Sequence, residues 1–317
     1  MAKLKKKIAL IFGITGQDGS YLAKFLIKKN YKVIGITRNL NKKNLFRLQK
    51  LNIEKKIKII KHNYLKKIFY KENKINEIYF LAGETSPLKS EINPIETFNS
   101  NLSSLINILE SLKKKKSKTR LFYASSSEIF KKKNKNIFNE VSEIEPRSPY
   151  GISKAASLWI VKFYRLQFGI YCCSGILFNH ESPLRSKNFV FKKIVDETKK
   201  LKKNGGKLNL GNINIKRDIG WAPDYVKAMW KMLQQKKPLD LVIGSGKMYS
   251  IKDFLNLTLK KLKLDKNKIV INNKNLIRFN DIKAYRSNPS LANKKLKWRN
   301  SLNLNEIVNK MINNDYF

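Results

Sequence analysis

Residues 11–27 read IFGITGQDGSYLAKFLI, and the order of their parts constrains everything around them. The apolar run KIALIFG (7–13) stops at Gly13, further glycines follow at 16 and 19, and the amphipathic segment SYLAKFLIKKN (20–30) begins at once. Strand, tight turn and helix follow one another. Glycines at this spacing let the backbone approach a bulky anion, and the N–H groups that open the helix attract a pyrophosphate. The loop Gly13, Ile14, Thr15, Gly16, Gln17, Asp18 and Gly19 is therefore the expected dinucleotide-binding turn.

The same rhythm continues outward. Apolar runs at 32–38 (KVIGITR), 57–63 (IKIIKHN), 77–83 (EIYFLAG), 120–126 (RLFYASS) and 172–179 (CCSGILFN) read as strands. Between them, 93–115 and 148–169 repeat apolar residues near every 3.6 positions, as helices do. Strands this apolar, separated by helices, predict an α/β fold: a doubly wound parallel sheet of Rossmann type, covered on both faces. After about residue 180 the pattern changes, with amphipathic helices at 189–204, 222–235 and 250–264. The expected organisation is a dinucleotide-binding domain over 1–178, rejoined by parts of 212–245, and a smaller mixed α/β substrate-binding lobe over 179–317.

The chain has 317 residues, 42% of them hydrophobic, enough for a substantial core. Lys+Arg number 67 against 23 Asp+Glu, a formal net charge of +44. The lysines are spread along the whole chain rather than clustered, and no nucleic-acid module accompanies them, so a nucleic acid is not the expected partner. A basic, nucleic-acid-binding Rossmann protein is the non-enzymatic alternative. The excess charge favours a phosphorylated substrate. The two cysteines, Cys172 and Cys173, are neighbours in a strand and face opposite ways, which fits a reducing compartment. No apolar run is long enough to span a membrane, so a cytoplasmic protein is expected. No metal is expected.

Where an acidic residue would hold the ribose 2′-hydroxyl of NAD, after the second strand, the chain has Arg38 and Asn39. An arginine there suits a 2′-phosphate, which predicts NADP. In SPYGISKAASLWI, Tyr150 and Lys154 stand at i and i+4 on one helix face. The ammonium lowers the phenol's pKa and makes Tyr150 a usable base. Following the Gly-rich loop at this distance, the pair resembles the active site of the extended short-chain dehydrogenase/reductases. In FYASSSEIF (122–130) an extended backbone would put Ser126 and Glu128 on one face, at the C-terminal edge of the sheet. Ser126 matches the superfamily's hydroxyl beside the tyrosine. Simple epimerases and reductases of this branch usually lack the carboxylate two residues later, whereas sugar-nucleotide 4,6-dehydratases have it.

LFNHESPLR (177–185), LNLGNINIKRDIGWAPDYVKAMWKMLQQ (208–235) and the opening loop resemble the GDP-mannose 4,6-dehydratase family over about 300 residues. The resemblance implies an NADP-dependent hydro-lyase that converts GDP-D-mannose to GDP-4-keto-6-deoxy-D-mannose, with Ser126, Glu128, Tyr150 and Lys154 catalytic. It implies cofactor contacts from Leu81, Ala82, His180 and Arg185 as well as from the loop. Asn179, Lys193, Arg217, Arg278 and Asp281, with Ser126, would hold the GDP-sugar. Tyr64 stands where the family has an acidic residue near the adenine, and LAGETS replaces the family's LAAQS. RSPYGISKAA and NLFRL also resemble a subgroup acting on other GDP-sugars such as GDP-heptoses. A GDP-4-keto-6-deoxy-sugar reductase or epimerase is a further alternative, against which Glu128 argues. A homodimer through 93–115 and 148–169 is expected. The alternative is the family's homotetramer, whose arginine-rich contact stretch is shortened here to RNLNKKNLFRLQKLNI (38–53).

Overall fold

The apolar runs form strands: β1 Ile8–Phe12, β2 Lys32–Thr37, β3 Lys58–Lys61, β4 Glu77–Phe80, β5 Arg120–Ser126, β6 Ile137–Phe138 and β7 Cys172–Leu177. Then come β8 Asn179–Glu181, β9 Leu208–Asn209, β10 Lys216–Trp221, β11 Leu241–Ile243, β12 Met248–Ser250, β13 Ile269–Val270 and β14 Ala284–Ser287. These belong to a computed structural model that describes residues 6–41, 44–61, 75–131, 137–265, 267, 269–270 and 284–317. The end of the predicted strand at 57–63, and Tyr64, Arg278 and Asp281, lie outside the described residues.

The large sheet has the order β11-β7-β5-β4-β1-β2-β3. From β7 to β3 every neighbouring pair is parallel. All residues of β4 and β7, and all but the first of β5, are buried, which is why these strands read as continuous apolar runs without alternation. The doubly wound fold expected from the sequence is the fold observed. Strand order reverses at β1, which pairs with β2 on one side and β4 on the other. In such sheets ligands bind beyond the strand C-termini at this reversal. One core cluster joins Leu10, Phe12, Ile34, Phe80 and Tyr123 of the sheet to Leu105, Ile108, Leu112 and Val161 of covering helices.

The chain folds into two compact units. The first comprises Met1–Lys131, Glu140–Leu177 and Val226–Leu241; the second comprises Lys132–Asn139, Phe178–Tyr225 and Val242–Phe317. In the second, β10 pairs antiparallel with β12 and parallel with β14 and β8. Its core packs Phe191, Ile194, Phe254, Leu255 and Ile307 of three helices against Ile219 and Trp221. Buried Asp218 clamps this unit, accepting from the amides of Ser245, Gly246 and Ser287 and from the hydroxyls of Ser245 and Ser287 at 2.6–3.0 Å.

One helix differs from expectation. The segment 93–115 is not a single α-helix: Pro94–Phe98 leads into a π-helical turn, Asn99–Ser103, before Ser104–Lys114 resumes. The turn places Asn101 to bind the neighbouring helix, as described below. Among the described residues, no helix is long and apolar enough to cross a membrane.

Candidate active site

The Gly-rich loop leaves β1 at Gly13, whose φ of +80° belongs to the left-handed region. Its amide and that of Ile14 donate to Ile36 O at 3.1 and 3.4 Å, tying the loop to the end of β2. A Cβ on Gly13 would meet the Leu81 carbonyl at 2.9 Å, and one on Gly19 would lie 2.2 Å from Gly13 O. Leu81 follows β4 and donates its amide to Phe12 O. The loops after β1 and β4 thus pack backbone on backbone. The helix Gln17–Lys28 starts from Gly16, which has no side chain to cap its first amides. This bare, donor-rich cradle fits a dinucleotide pyrophosphate. At its entrance Gln17 donates to Asp18 at 3.1 Å.

The helix Pro149–Phe168 carries Tyr150 and Lys154, both buried. Ser148 caps it by accepting from Gly151 N at 3.1 Å, and Pro149 occupies the first turn, where its missing N–H costs nothing. The Tyr150 amide donates to the buried Ser90 hydroxyl at 3.0 Å. Lys154 Nζ donates to Ala124 O at 2.9 Å and lies 5.8 Å from the Tyr150 ring centre and 5.2 Å from that of Tyr123. Burial pushes the Lys154 ammonium from 10.5 down to about 8, against the opposing pull of the Asp18 charge.

Ser126 and Glu128 do not alternate along an extended strand. β5 ends at Ser126, and Ser127–Ile129 form a 3-10 turn that Ser126 caps, its Oγ accepting from Glu128 N at 3.2 Å. The cap, rather than the pleat, sets their relation, because the serine oxygen offers a local acceptor that ends the ladder. The turn packs directly on the tyrosine-bearing helix: a Cβ on Gly151 would lie 2.7 Å from Glu128 O. Hydroxyl, carboxylate, phenol and ammonium therefore belong to two adjoining turns of the first unit.

The family model for GDP-mannose 4,6 dehydratase matches residues 10–311. The chain is similar to GDP-mannose 4,6 dehydratase 1 of Arabidopsis thaliana, 34% identical with 98% of this chain and 90% of the relative covered. The Drosophila melanogaster GDP-mannose 4,6 dehydratase is 36% identical over 98% of this chain and 86% of its own length. The chain belongs to the GDP-mannose 4,6-dehydratase family. A solved dTDP-glucose 4,6-dehydratase from Bacillus anthracis superposes with a TM-score of 0.84 over 97% of this chain and 96% of its own, at 18% identity, a likeness of fold.

Asn101 belongs to no motif of the sequence, yet it buttresses the site. Its Nδ2 donates to Ser153 Oγ at 2.9 Å, Ser153 Oγ donates to Tyr150 O at 2.8 Å, and Ser157 Oγ donates to Asn101 O at 3.2 Å. Asn101 so ties the π turn to the helix that bears the tyrosine and lysine. A signal existed: it lies four residues before Leu105 and seven before Ile108, a polar residue on an otherwise apolar, buried stripe.

Other assigned residues are placed as follows. Arg38 makes an exposed ion pair with Glu96 at 3.1 Å, and Asn39 turns back on Thr37. In the second unit, His180 Nδ1 lies 2.7 Å from Phe178 O, so that nitrogen carries the hydrogen, and the ring stacks on Tyr225 at 4.3 Å. Arg185 lies over the Phe189 ring at 3.7 Å, with Nε 3.5 Å from Glu181. The Asn179 carbonyl, in β8, accepts from Tyr225 at 3.4 Å. Lys193 donates to Asn209 O at 3.0 Å, and the Arg217 guanidinium lies 4.9 Å over Tyr285.

Proposed function

We propose that this family member dehydrates GDP-D-mannose to GDP-4-keto-6-deoxy-D-mannose, with Tyr150 and Glu128 as its two proton-transfer groups. The observation that carries the reading is the Glu128 turn packed against Gly151, beside the tyrosine. A bound nicotinamide dinucleotide supplies the hydride acceptor at sugar C4 and the hydride donor at C6. Tyr150, assisted by the Lys154 charge and the Ser126 hydroxyl, takes the O4 proton as C4 becomes a ketone. The ketone acidifies the C5 proton. Glu128 removes it and protonates the departing C6 hydroxyl, which leaves as water. A proton then returns to C5, so the two protons taken from O4 and C5 account for the water and the refilled C5 position.

The cofactor we assign is NADP, on the strength of Arg38 and the lack of an acidic residue after β2. Asn179, Lys193 and Arg217 are assigned to the GDP moiety, and His180 and Arg185 to the cofactor, by likeness to the family. Ile152, Trp159, Phe163 and Leu166 are exposed on one side of the helix Pro149–Phe168, which supports a homodimer. Two free, buried cysteines support a cytoplasmic location.

Incubation with GDP-mannose and mass analysis tests the assignment. The expected product is lighter by one water, with no net oxidation or reduction of the dinucleotide. Glu128→Gln is expected to lower turnover by about 10²–10⁴-fold; full turnover in that variant refutes the role.

A further inference from the structure

A cation of the NLFRL stretch, to which the sequence assigns no role, stands against the dinucleotide loop. Arg47 belongs to the short helix Phe46–Lys50 that follows β2. Its Nη1 donates to the carbonyl of Thr15 at 3.0 Å, inside the Gly13–Gly19 turn. Its guanidinium also lies 4.5 Å over the ring of Phe46. The same turn is bound through the Gly13 and Ile14 amides to Ile36, one residue short of the end of β2. The adenosine ribose of a dinucleotide sits beside the C-terminal end of this second strand. Arg47 is therefore held where the loop and the ribose site meet, all within the first unit.

Arg38 stands differently. It lies at the surface, paired to the Glu96 carboxylate at 3.1 Å, with both side chains largely exposed. A phosphate dianion approaching it meets the charge of that carboxylate as well. Arg47 is half-buried and held by the Thr15 carbonyl and the Phe46 ring, so less side-chain freedom remains to be lost when a ligand binds. A guanidinium carries five N–H donors in a rigid fork whose geometry matches phosphate oxygens.

We infer that Arg47 is the specificity-determining residue that reads the 2′-phosphate of NADP, from its anchor on Thr15 beside the ribose end of β2. The inference rests on the NADP reading above and assigns the recognition mainly to Arg47, with Arg38 in a secondary role.

Binding of NADP+, NAD+, adenosine 2′,5′-bisphosphate and 5′-AMP to the full chain tests it by titration calorimetry, without turnover. The informative variant is Arg47→Gln, which keeps a neutral donor for the Thr15 carbonyl and removes the charge. Expected is at least a tenfold rise in Kd for NADP+ and for the bisphosphate, with NAD+ and 5′-AMP within about twofold of wild type. Arg38→Gln should weaken NADP+ less than threefold. The Arg47→Gln effect should shrink as salt is raised. Equal weakening of NADP+ and NAD+ makes Arg47 an anchor of the loop alone and overturns the inference, as does no change in either. Wild-type protein that binds NAD+ more tightly than NADP+ overturns the NADP reading itself. Thermal melting checks folding, and should Arg47→Gln not fold, Arg47→Lys, which keeps the charge and loses the fork, is expected to retain part of the NADP+ preference.

Discussion

Replacing Lys154 with methionine should make the protein inactive and, near neutral pH, no less stable. Lys154 is 5% exposed, and its ammonium faces one carbonyl and two aromatic rings. Burial lowers its pKa from 10.5 to about 8. At roughly 1.4 kcal/mol per pH unit, keeping it charged in the fold costs about 3 kcal/mol. Methionine has a similar length, needs no charge and removes that cost. It also leaves Ala124 O without its donor, a loss of about 1–3 kcal/mol. The net at pH 7 is a variant between equal stability and about 2 kcal/mol more stable than wild type. The pH dependence is the sharper test. Between pH 8 and 10.5 the unfolded wild-type chain binds this proton and the folded one does not, so wild-type stability rises with pH across that window. The variant lacks this rise, and subtracting the two curves cancels every other lysine. Urea denaturation at pH 7, 8.5 and 10 should show the variant's relative stability falling by about 2–3 kcal/mol across the series. A difference that stays constant with pH, or a variant more than about 2 kcal/mol less stable at pH 7, refutes the reasoning.

Gly151→Ala forces the Glu128 turn away from the tyrosine helix; turnover should fall at least about tenfold with dinucleotide affinity unchanged by calorimetry. Asn101→Ala removes the tie to Ser153 and should lower kcat several-fold while raising the KM for GDP-mannose less than twofold, read by steady-state kinetics. Asp218→Ala leaves the Ser245 and Ser287 amides without their acceptor and the Gly246 amide with the Ser287 hydroxyl in place of two acceptors. It should cost at least about 3 kcal/mol in urea denaturation and expose those amides to hydrogen exchange. Trp159→Lys with Phe163→Lys puts two charges on the exposed helix side and should give a monomer in sedimentation velocity.

The parts of this fold legible in the sequence are those whose signal is local. The strand, turn and helix around Gly13 could be read because chain geometry and glycine chemistry agree within 20 residues, and Tyr150 and Lys154 because a helix fixes i and i+4. Where the outcome depends on a partner distant in sequence, local rules mislead. The pleat argument brought Ser126 and Glu128 together for the wrong reason: a serine able to cap the next turn competes with the sheet ladder, and here the cap wins. The segment 93–115 is amphipathic throughout, yet it contains a π turn because Asn101 bonds to Ser153 and Ser157 more than fifty positions away. Strand β11 has three residues, too few to show a period, and is sheet only because β7 lies beside it. The role of Arg47, a residue of the quoted NLFRL, was hidden for a different reason. In a chain with 67 Lys and Arg, no single cation stands out by composition. Its distinction is its anchor on Thr15. Lysine-rich drift on the surface therefore masks functional cations without displacing them, and they are recovered by asking which of them is held by a backbone carbonyl at a loop that a ligand must touch.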